Sequence, residues 1–416
     1  MLIWIFQTGE PLHIDKEFSR PMRAMNLANT LIEKCHKVVI WSSNFFHQKK
    51  AHRFKTNKTI FYDKNLTIKL INSIGYKSNI GLRRILDHAN LGINLFKTLS
   101  QYHGELPEKV FIGYPPIEFA FVASLWCKKN NIPYLLDIKD QWPHMYLDPF
   151  PRNLRIFIKL LLFPYFSMGS WSCNNASSLV SITKEFLDWV YNFSRKQPSK
   201  NDFILPTSII KDTKSNPTKE TKTWLKKLAP QKNKKTKVIV YIGAFISDLN
   251  YIPIINAAKN ALREKKDWIF VLCGDGPSLN IIKKNIGNLE NTFLPGWVSQ
   301  EKVNALLGET SVGLLAMPNT SNFSLTITNK TYTYLSEGVP IITSINGVIK
   351  NLIMKYNVGI TYKENDKHQL YKALVDYFDD DNNFKLQSNN AKKLYKEKFD
   401  GRKVYENAVH RIEKLI

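Results

Sequence analysis

Short β-branched or aromatic runs alternate with stretches of helical periodicity along most of this chain, and that alternation leaves few folds open. Residues 2–6 and 38–41 read as strands bounded by turn residues, and between them residues 20–34 carry Met22, Met25, Leu27, Ala28, Leu31 and Ile32 at helical spacing. The pattern continues through a strand at 109–113, a helix around 119–129, a strand at 134–138, a helix from 154 to about 170 and a strand at 178–182. Strand–helix–strand repeats of this kind build a parallel sheet with helices on both faces. The alternation then stops. Residues 208–237 are rich in Lys, Thr and Pro, with Trp224 and Leu225 as the main apolar anchors, and read as a surface linker carrying one short helix. It restarts with strands at 238–242, 268–273, 293–294, 312–316 and 339–342 and a helix near 254–263, and amphipathic helices fill 384–416.

The expectation is an α/β chain of two doubly wound, Rossmann-like domains. Their bounds are 1–207 and 237–395, with 208–236 as linker and 396–416 as a helix returning to the first domain. A length of 416 residues supports this, because a single core rarely exceeds about 250–300 residues. Ligands of such sheets bind beyond the carboxyl ends of the strands, so two domains facing each other place the site in the cleft between them. Cys35, Cys127, Cys173 and Cys273 are far apart with no C-x-x-C pair, which argues against a zinc site or a disulfide framework and fits a reducing cytosol. The apolar residues 2–6 are followed at once by Gly9, Glu10 and Pro11, unlike a signal peptide, and no apolar run reaches 18 residues, so no transmembrane helix is expected. A formal net charge of +24 points to an anionic membrane surface, phosphorylated ligands or nucleic acid, unless it is compositional drift. Zinc-finger spacing, an aromatic–basic RNA-binding run and a long basic arm are all missing, so no nucleic-acid partner is expected.

The run from Asn329 and Lys330 to Ile342 carries the chemistry. It reads as a short helix opened by an amide and a cation and closed by Gly338, then a buried strand that Pro340 can begin but not sit inside. The helix mouth offers free N–H groups and the positive end of the dipole, with Lys330 beside them: an anion site suited to a diphosphate.

The spacing of Lys330, Tyr334, Leu335, Gly338 and Pro340 resembles the nucleotide-sugar segment of family 4 glycosyltransferases (glycosyltransferases group 1). Further motifs follow in order. The strand 238–242 with Gly243 is similar to the first strand and glycine turn of that family's second domain. Gly274, Asp275, Gly276 and Pro277 resemble its Gly-Asp-Gly-Pro turn, where glycine lets the backbone approach a ligand and Asp275 can cap the next helix. Gly296, Trp297 and Val298, with a helix around 301–307, resemble the segment packed on the nucleobase, and residues 317–328 resemble the loop over sugar and diphosphate. In the first half, Arg23, Leu27, Ala28, Leu31, His36 and Val38 match the family's helix pattern, with His36 read as a structural cap. Residues 137–143 resemble the Arg-Asp-Leu-Trp-Pro segment of bacterial surface-polysaccharide transferases.

What the resemblance implies is a GT-B fold with the acceptor held by the first domain and a nucleotide-sugar by the second. The reaction is glycosyl transfer of hexosyl or N-acetylhexosaminyl type, with retention of configuration and no cofactor or bound metal. The donor is expected to be a UDP-sugar and the acceptor a glycan or lipid-diphosphate-linked glycan of bacterial surface polysaccharide (O-antigen, capsule, lipopolysaccharide). The candidate donor contacts are Gly243, Gly274, Asp275, Gly276, Trp297, Val298, Thr328, Asn329, Lys330 and Thr333. Gly9, Glu10 and Arg23 are candidate acceptor contacts, and Lys139 and Asp140 candidate catalytic residues. Asp140 follows a strand and is placed either to accept a sugar hydroxyl hydrogen bond or to cap a helix.

Two departures stand out. Counting back from Gly338, the family's glutamate pair falls on Thr333 and Leu325. The Arg and Lys common after the glycine turn are replaced by the run from Ala244 to Asn250. Ribose, sugar and diphosphate contacts must therefore differ from the family's usual set. The segment 152–171, basic at Arg152, Arg155 and Lys159 and then strongly apolar, reads either as a buried core helix or as an interfacial segment meeting anionic lipid. The second reading implies a peripheral protein on the inner face of the cytoplasmic membrane. Beside the transferase stand two other readings: a sugar-nucleotide epimerase of the same fold, which would need carboxylates and histidines near the donor site, and an inactive basic membrane- or nucleic-acid-binding protein.

Overall fold

The computed structural model describes residues 1–15, 20–79, 81–211, 217–229, 232–233, 235–247, 249–363 and 366–415. The chain forms two compact units, Met1–Thr207 with Arg402–Ile416, and Ser208–Gly401. The stretch 208–236 thus falls in the second unit: the helix Lys219–Leu228 is capped by the Thr218 hydroxyl, and Trp224 and Leu225 pack on that unit's core.

The first unit is built on eight strands in the order Phe203–Ile204, Ser178–Ser181, Tyr134–Ile138, Lys109–Tyr114, Leu2–Phe6, Lys37–Ser43, Leu66–Ile71, Lys58–Asp63. All neighbours are parallel except the edge pair Lys58–Asp63 and Leu66–Ile71. The central strands are apolar on both faces, as burial under two helix layers requires. Trp4, Phe6 and Trp41 are fully buried, and Trp4 stacks on Trp126 with centroids 5.0 Å apart. Chain order turns back between Leu2–Phe6 and Lys109–Tyr114, which opens a crevice at their carboxyl ends.

The helix expected over 154–170 is two helices, Arg155–Leu161 and Phe163–Asn175, bent by 71°. Pro164 opens the second, where its missing N–H has no consequence. The two differ in burial. Phe166 is buried in the second, whereas no residue of Arg155–Leu161 is, so the core-helix reading fails for that half. No single described helix is long and apolar enough to cross a membrane.

The second unit holds six parallel strands in the order Thr292–Gly296, Trp268–Cys273, Lys237–Ile242, Val312–Leu315, Ile341–Thr343, Gly359–Thr361. Numbered within the unit, that order is 3-2-1-4-5-6, the dinucleotide-binding arrangement whose switch point lies between strands one and four. The helix Asn329–Glu337 ends at Gly338 with φ of 72°, and Pro340 directly precedes the strand Ile341–Thr343. The C-terminal stretch comprises Asp381–Leu394, a π-helical turn Tyr395–Phe399 and Gly401–Glu413. In the first unit His36 pairs with Glu413 at 2.9 Å, in keeping with a structural role for this histidine.

Candidate functional site

In the second unit, the carboxyl ends of strands one and four are where the glycines and Lys330 meet. Gly243, Gly274 and Gly276 have φ of 141°, 155° and 149°, a region that glycine alone adopts freely. They nest: a Cβ on Gly274 would strike the Gly243 carbonyl, and one on Gly276 the Phe245 backbone. The Gly243 N–H donates to the Cys273 carbonyl at 2.9 Å, and the Gly274 N–H to the Gly296 carbonyl at 2.9 Å. One hydrogen-bonded shelf thus joins three loops.

Lys330 lies across this shelf, and a Cβ on Gly243 would overlap its Cε. Its Nζ donates to the Tyr241 hydroxyl at 2.8 Å, contacts Met317 Sδ at 3.3 Å and sits 4.5 Å over the Tyr241 ring. Among the described residues no carboxylate pairs with it. Burial lowers its pKa from 10.5 to about 8. A cation held in a crevice without a counter-charge is an anion site by elementary electrostatics. The helix mouth adds to it: Thr328 is the N-cap, and its side chain caps no backbone N–H.

Trp297 is 63% exposed on the loop after Gly296, a free aromatic face at the edge of the shelf, whereas Val298 packs against the core. Asp275 does not cap the helix Leu279–Ile286, whose N-cap is Ser278. Its carboxylate instead accepts from the Gly276 N–H at 2.6 Å, which stiffens the turn. Thr333 is buried, and its hydroxyl donates to the Asn329 carbonyl at 3.0 Å. Of the run that replaces the family's Arg and Lys, Phe245 is fully buried and Asp248 lies outside the described residues.

In the first unit a charged cluster fills the crevice between its central strands. Lys139, just past Tyr134–Ile138, donates to Glu10 Oε1 at 2.6 Å and to Gln7 Oε1 at 2.9 Å. Glu10 Oε2 accepts from the Ala24 N–H at 2.9 Å, so the carboxylate also caps the start of the helix Arg23–Glu33. Arg23 is buried and bonds Asp137 and the Leu205 carbonyl, behind the crevice rather than on its open side. Burial raises the Asp137 pKa, and Arg23 and Lys139 pull it back. Gly9 has φ of 75°, and its carbonyl accepts from Gln48 Nε2 at 2.8 Å. Asp140 is half-buried at the same edge, and its carbonyl accepts from the Trp142 N–H at 2.8 Å. The short helix that follows, His144–Leu147, has Pro143 as its N-cap.

The structure therefore gathers Gly243, Gly274, Gly276, Asn329 and Lys330 in one unit and Glu10, Lys139 and Asp140 in the other, and places Arg23 and Thr333 in the interior. Gln7 and Tyr241, which hold the two lysines, carry no motif. Their only sequence signal is position at a strand's carboxyl end.

Residues 223–394 match the family described as glycosyl transferases group 1. No curated protein sequence matches the chain. Among solved structures, sucrose-phosphate synthase from Thermosynechococcus elongatus is similar at 11% identity and a TM-score of 0.73, covering 100% of this chain and 98% of that one. WaaG, a glycosyltransferase involved in lipopolysaccharide biosynthesis, is similar at 13% identity and a TM-score of 0.65, with 100% of each chain covered. HepE from Anabaena, in complex with UDP, is similar at 10% identity and a TM-score of 0.64, again with 100% of each covered. Likeness at such identity carries the fold: the chain has the GT-B fold, and residues 223–394, within its second unit, resemble the group 1 glycosyltransferases.

Proposed function

We propose that this chain transfers a sugar from a UDP-sugar to a glycan or lipid-diphosphate-linked glycan in bacterial surface-polysaccharide synthesis, with retention of configuration and without a metal. The observation that carries the donor half is Lys330, a cation without a carboxylate partner at the switch point of the second sheet. Donor cleavage leaves a diphosphate, and preorganised positive groups that meet the leaving charge are the largest lever on such a barrier. Lys330 and the free N–H groups of Asn329–Glu337 supply them, the glycine shelf admits the phosphates close to the backbone, and Trp297 offers a face for the base. On the acceptor side, Asp140 accepts the hydrogen bond of the attacking hydroxyl, while the Glu10–Lys139 pair fixes its loop. HepE in complex with UDP-glucose and WaaG lend support by analogy.

The membrane half rests on Arg155–Leu161. Its apolar side chains Ile156, Phe157, Leu160 and Leu161, with Leu154 and Phe163 at its ends, are exposed, and Arg152, Arg155 and Lys159 lie among them. A helix with no fully buried residue and four exposed apolar side chains suits insertion at a headgroup boundary, its cations on anionic lipid. The protein then works as a peripheral enzyme on the cytoplasmic leaflet.

Calorimetry tests the donor half. UDP binds the wild-type protein, and Lys330→Ala weakens it by about 1–3 kcal/mol, the range of a charge-assisted hydrogen bond. Equal UDP affinity in the two proteins removes Lys330 from the site, and no binding of UDP or UDP-sugars by the wild type overturns the donor assignment.

A further inference from the structure

A second group of cations lies in the first unit, and the transfer reaction as argued makes no use of it. It is built from the segment after the strand Lys37–Ser43, the start of the helix Leu82–Ser100 and the loop after Tyr134–Ile138, all at the carboxyl edge of the sheet. Lys50 Nζ bonds His47 Nδ1 at 3.1 Å and the Asn79 side chain, and sits 4.8 Å over the Tyr76 ring. The Arg84 guanidinium lies 5.1 Å over Trp142 and 5.7 Å over Tyr76, with one N–H on the Asn79 carbonyl at 2.6 Å. The His88 ring lies 5.5 Å from Trp142.

Three features set this group apart from ordinary packing. First, neither Lys50 nor Arg84 forms an ion pair among the described residues. The nearby Asp87 accepts the Gly75 N–H, and Glu118 is buried with its pKa raised to about 7. Second, polar atoms are left open inside it: Arg84 Nε and His88 Nδ1 are buried without a hydrogen-bond partner, and His88 is only 4% exposed. Groups so placed require a partner. Third, both histidines are depressed, first by burial: His47 to about 4, with Lys50 and Arg84 adding to it, and His88 to about 3, with Arg84 and His47 adding to it, as expected where positive charge lacks compensation.

We propose that Lys50, Arg84 and His88, braced by Tyr76 and Trp142, bind a phosphate or diphosphate group of the acceptor. A guanidinium fork and an ammonium converging from different elements suit a tetrahedral oxyanion better than a planar carboxylate. Stacking on aromatic faces holds both cations in place before the ligand arrives. The surroundings suit a phosphate at the depth of lipid headgroups. Leu82 and Leu86 are exposed on the helix that carries Arg84. On the other side, Trp142 packs on Tyr146 at 4.9 Å, within the short helix that touches Arg155–Leu161. The inference rests on the acceptor half of the transferase reading and names the group by which the acceptor is recognised.

The test uses the full chain saturated with UDP. Inorganic diphosphate is titrated calorimetrically, and phosphatidylcholine vesicles containing a polyisoprenyl diphosphate are followed by sedimentation. Wild-type protein binds, and Arg84→Gln and Lys50→Gln each weaken binding about tenfold or more, with UDP affinity unchanged. Loss with both probes assigns the site to the phosphate itself. Loss with vesicles alone assigns it to a lipid-linked acceptor, and loss with free diphosphate alone to a soluble phosphorylated one. Lys50 is partly exposed and its variant answers the question even if Arg84→Gln fails to fold. Wild-type affinity in the variants, or no binding of either probe by the wild type, overturns the proposal. Retained UDP binding in that case leaves the transferase reading standing, and failure of UDP to bind the wild type counts against the transferase reading alone.

Discussion

Lys330→Met should make the second unit more stable and the donor site weaker at the same time. The amine is drawn into the crevice with a tyrosine hydroxyl, a thioether and an aromatic face as company, and burial lowers its pKa from 10.5 to about 8. That difference is worth about 3 kcal/mol, the free energy by which the fold disfavours the charged form. The sign follows from proton counting. Below pH 8 both the folded and the unfolded protein carry the proton, and the full penalty acts on the fold. Between pH 8 and 10.5 the folded amine gives up its proton first, so wild-type stability rises with pH. Above 10.5 the penalty is gone. Methionine, of similar length and without charge, is free of it throughout. By scanning calorimetry the second unit of Lys330→Met should melt roughly 6–12 °C higher than wild type at pH 7, at about 2–4 °C per kcal/mol for a unit of this size. The gap should close toward pH 10. UDP affinity at pH 7 should fall by about 1–3 kcal/mol, and wild-type affinity should itself decline above pH 8 as the amine loses its proton. A variant that melts at or below the wild-type temperature at pH 7, with a gap indifferent to pH, refutes the idea that this lysine is an uncompensated cation held for a ligand.

Further outcomes follow from other contacts. Glu10→Ala leaves Lys139 without its carboxylate and the Ala24 N–H without its acceptor, and should cost about 3 kcal/mol, seen as a fall of roughly 6–12 °C in the melting of the first unit. Asp140→Asn should lower turnover with a UDP-sugar by about 10²-fold while the melting temperature barely moves; a near-normal rate removes Asp140 from the chemistry. Phe157→Asp, on a helix with no buried residue, should weaken sedimentation with anionic vesicles by about tenfold without altering the melting temperature, and wild-type binding should fall with added salt. Gly243→Val should abolish UDP binding, because a side chain there must displace Lys330.

The parts of this molecule that the sequence made legible are those where one residue type answers one local need. Gly338 ends a helix in the left-handed region, Pro340 precedes a strand, and Gly274 and Gly276 turn tightly after an apolar run, so the glycine turns could be read in order. The strands Lys58–Asp63 and Leu66–Ile71 escaped notice. The edge strand of the two is largely exposed on both faces, with Phe61 turned out, so the inward–outward alternation of a half-buried strand is lost. The helix Leu82–Ser100 was missed as well. It buries Leu91, Leu95 and Leu99 but also shows Leu82, Leu86, Ile93 and Phe96 to the outside. Pairings across elements left no local trace: Lys330 on Tyr241, Lys139 on Gln7, and Arg84 on Trp142 join residues 89, 132 and 58 positions apart. Asp140 and Arg23 share the family pattern, yet only the fold shows that one stands at the open edge and the other behind it.

Hydrogen exchange of the full chain with and without UDP tests the central claim most directly. Slowed exchange is expected in four stretches of the second unit, residues 241–247, 273–278, 296–300 and 328–334, where the glycine shelf, Trp297 and the helix mouth meet the nucleotide, with residues 350–395 unchanged. Protection that leaves these stretches untouched, or none at saturating UDP, contradicts the assignment of this unit as the donor site of a glycosyltransferase.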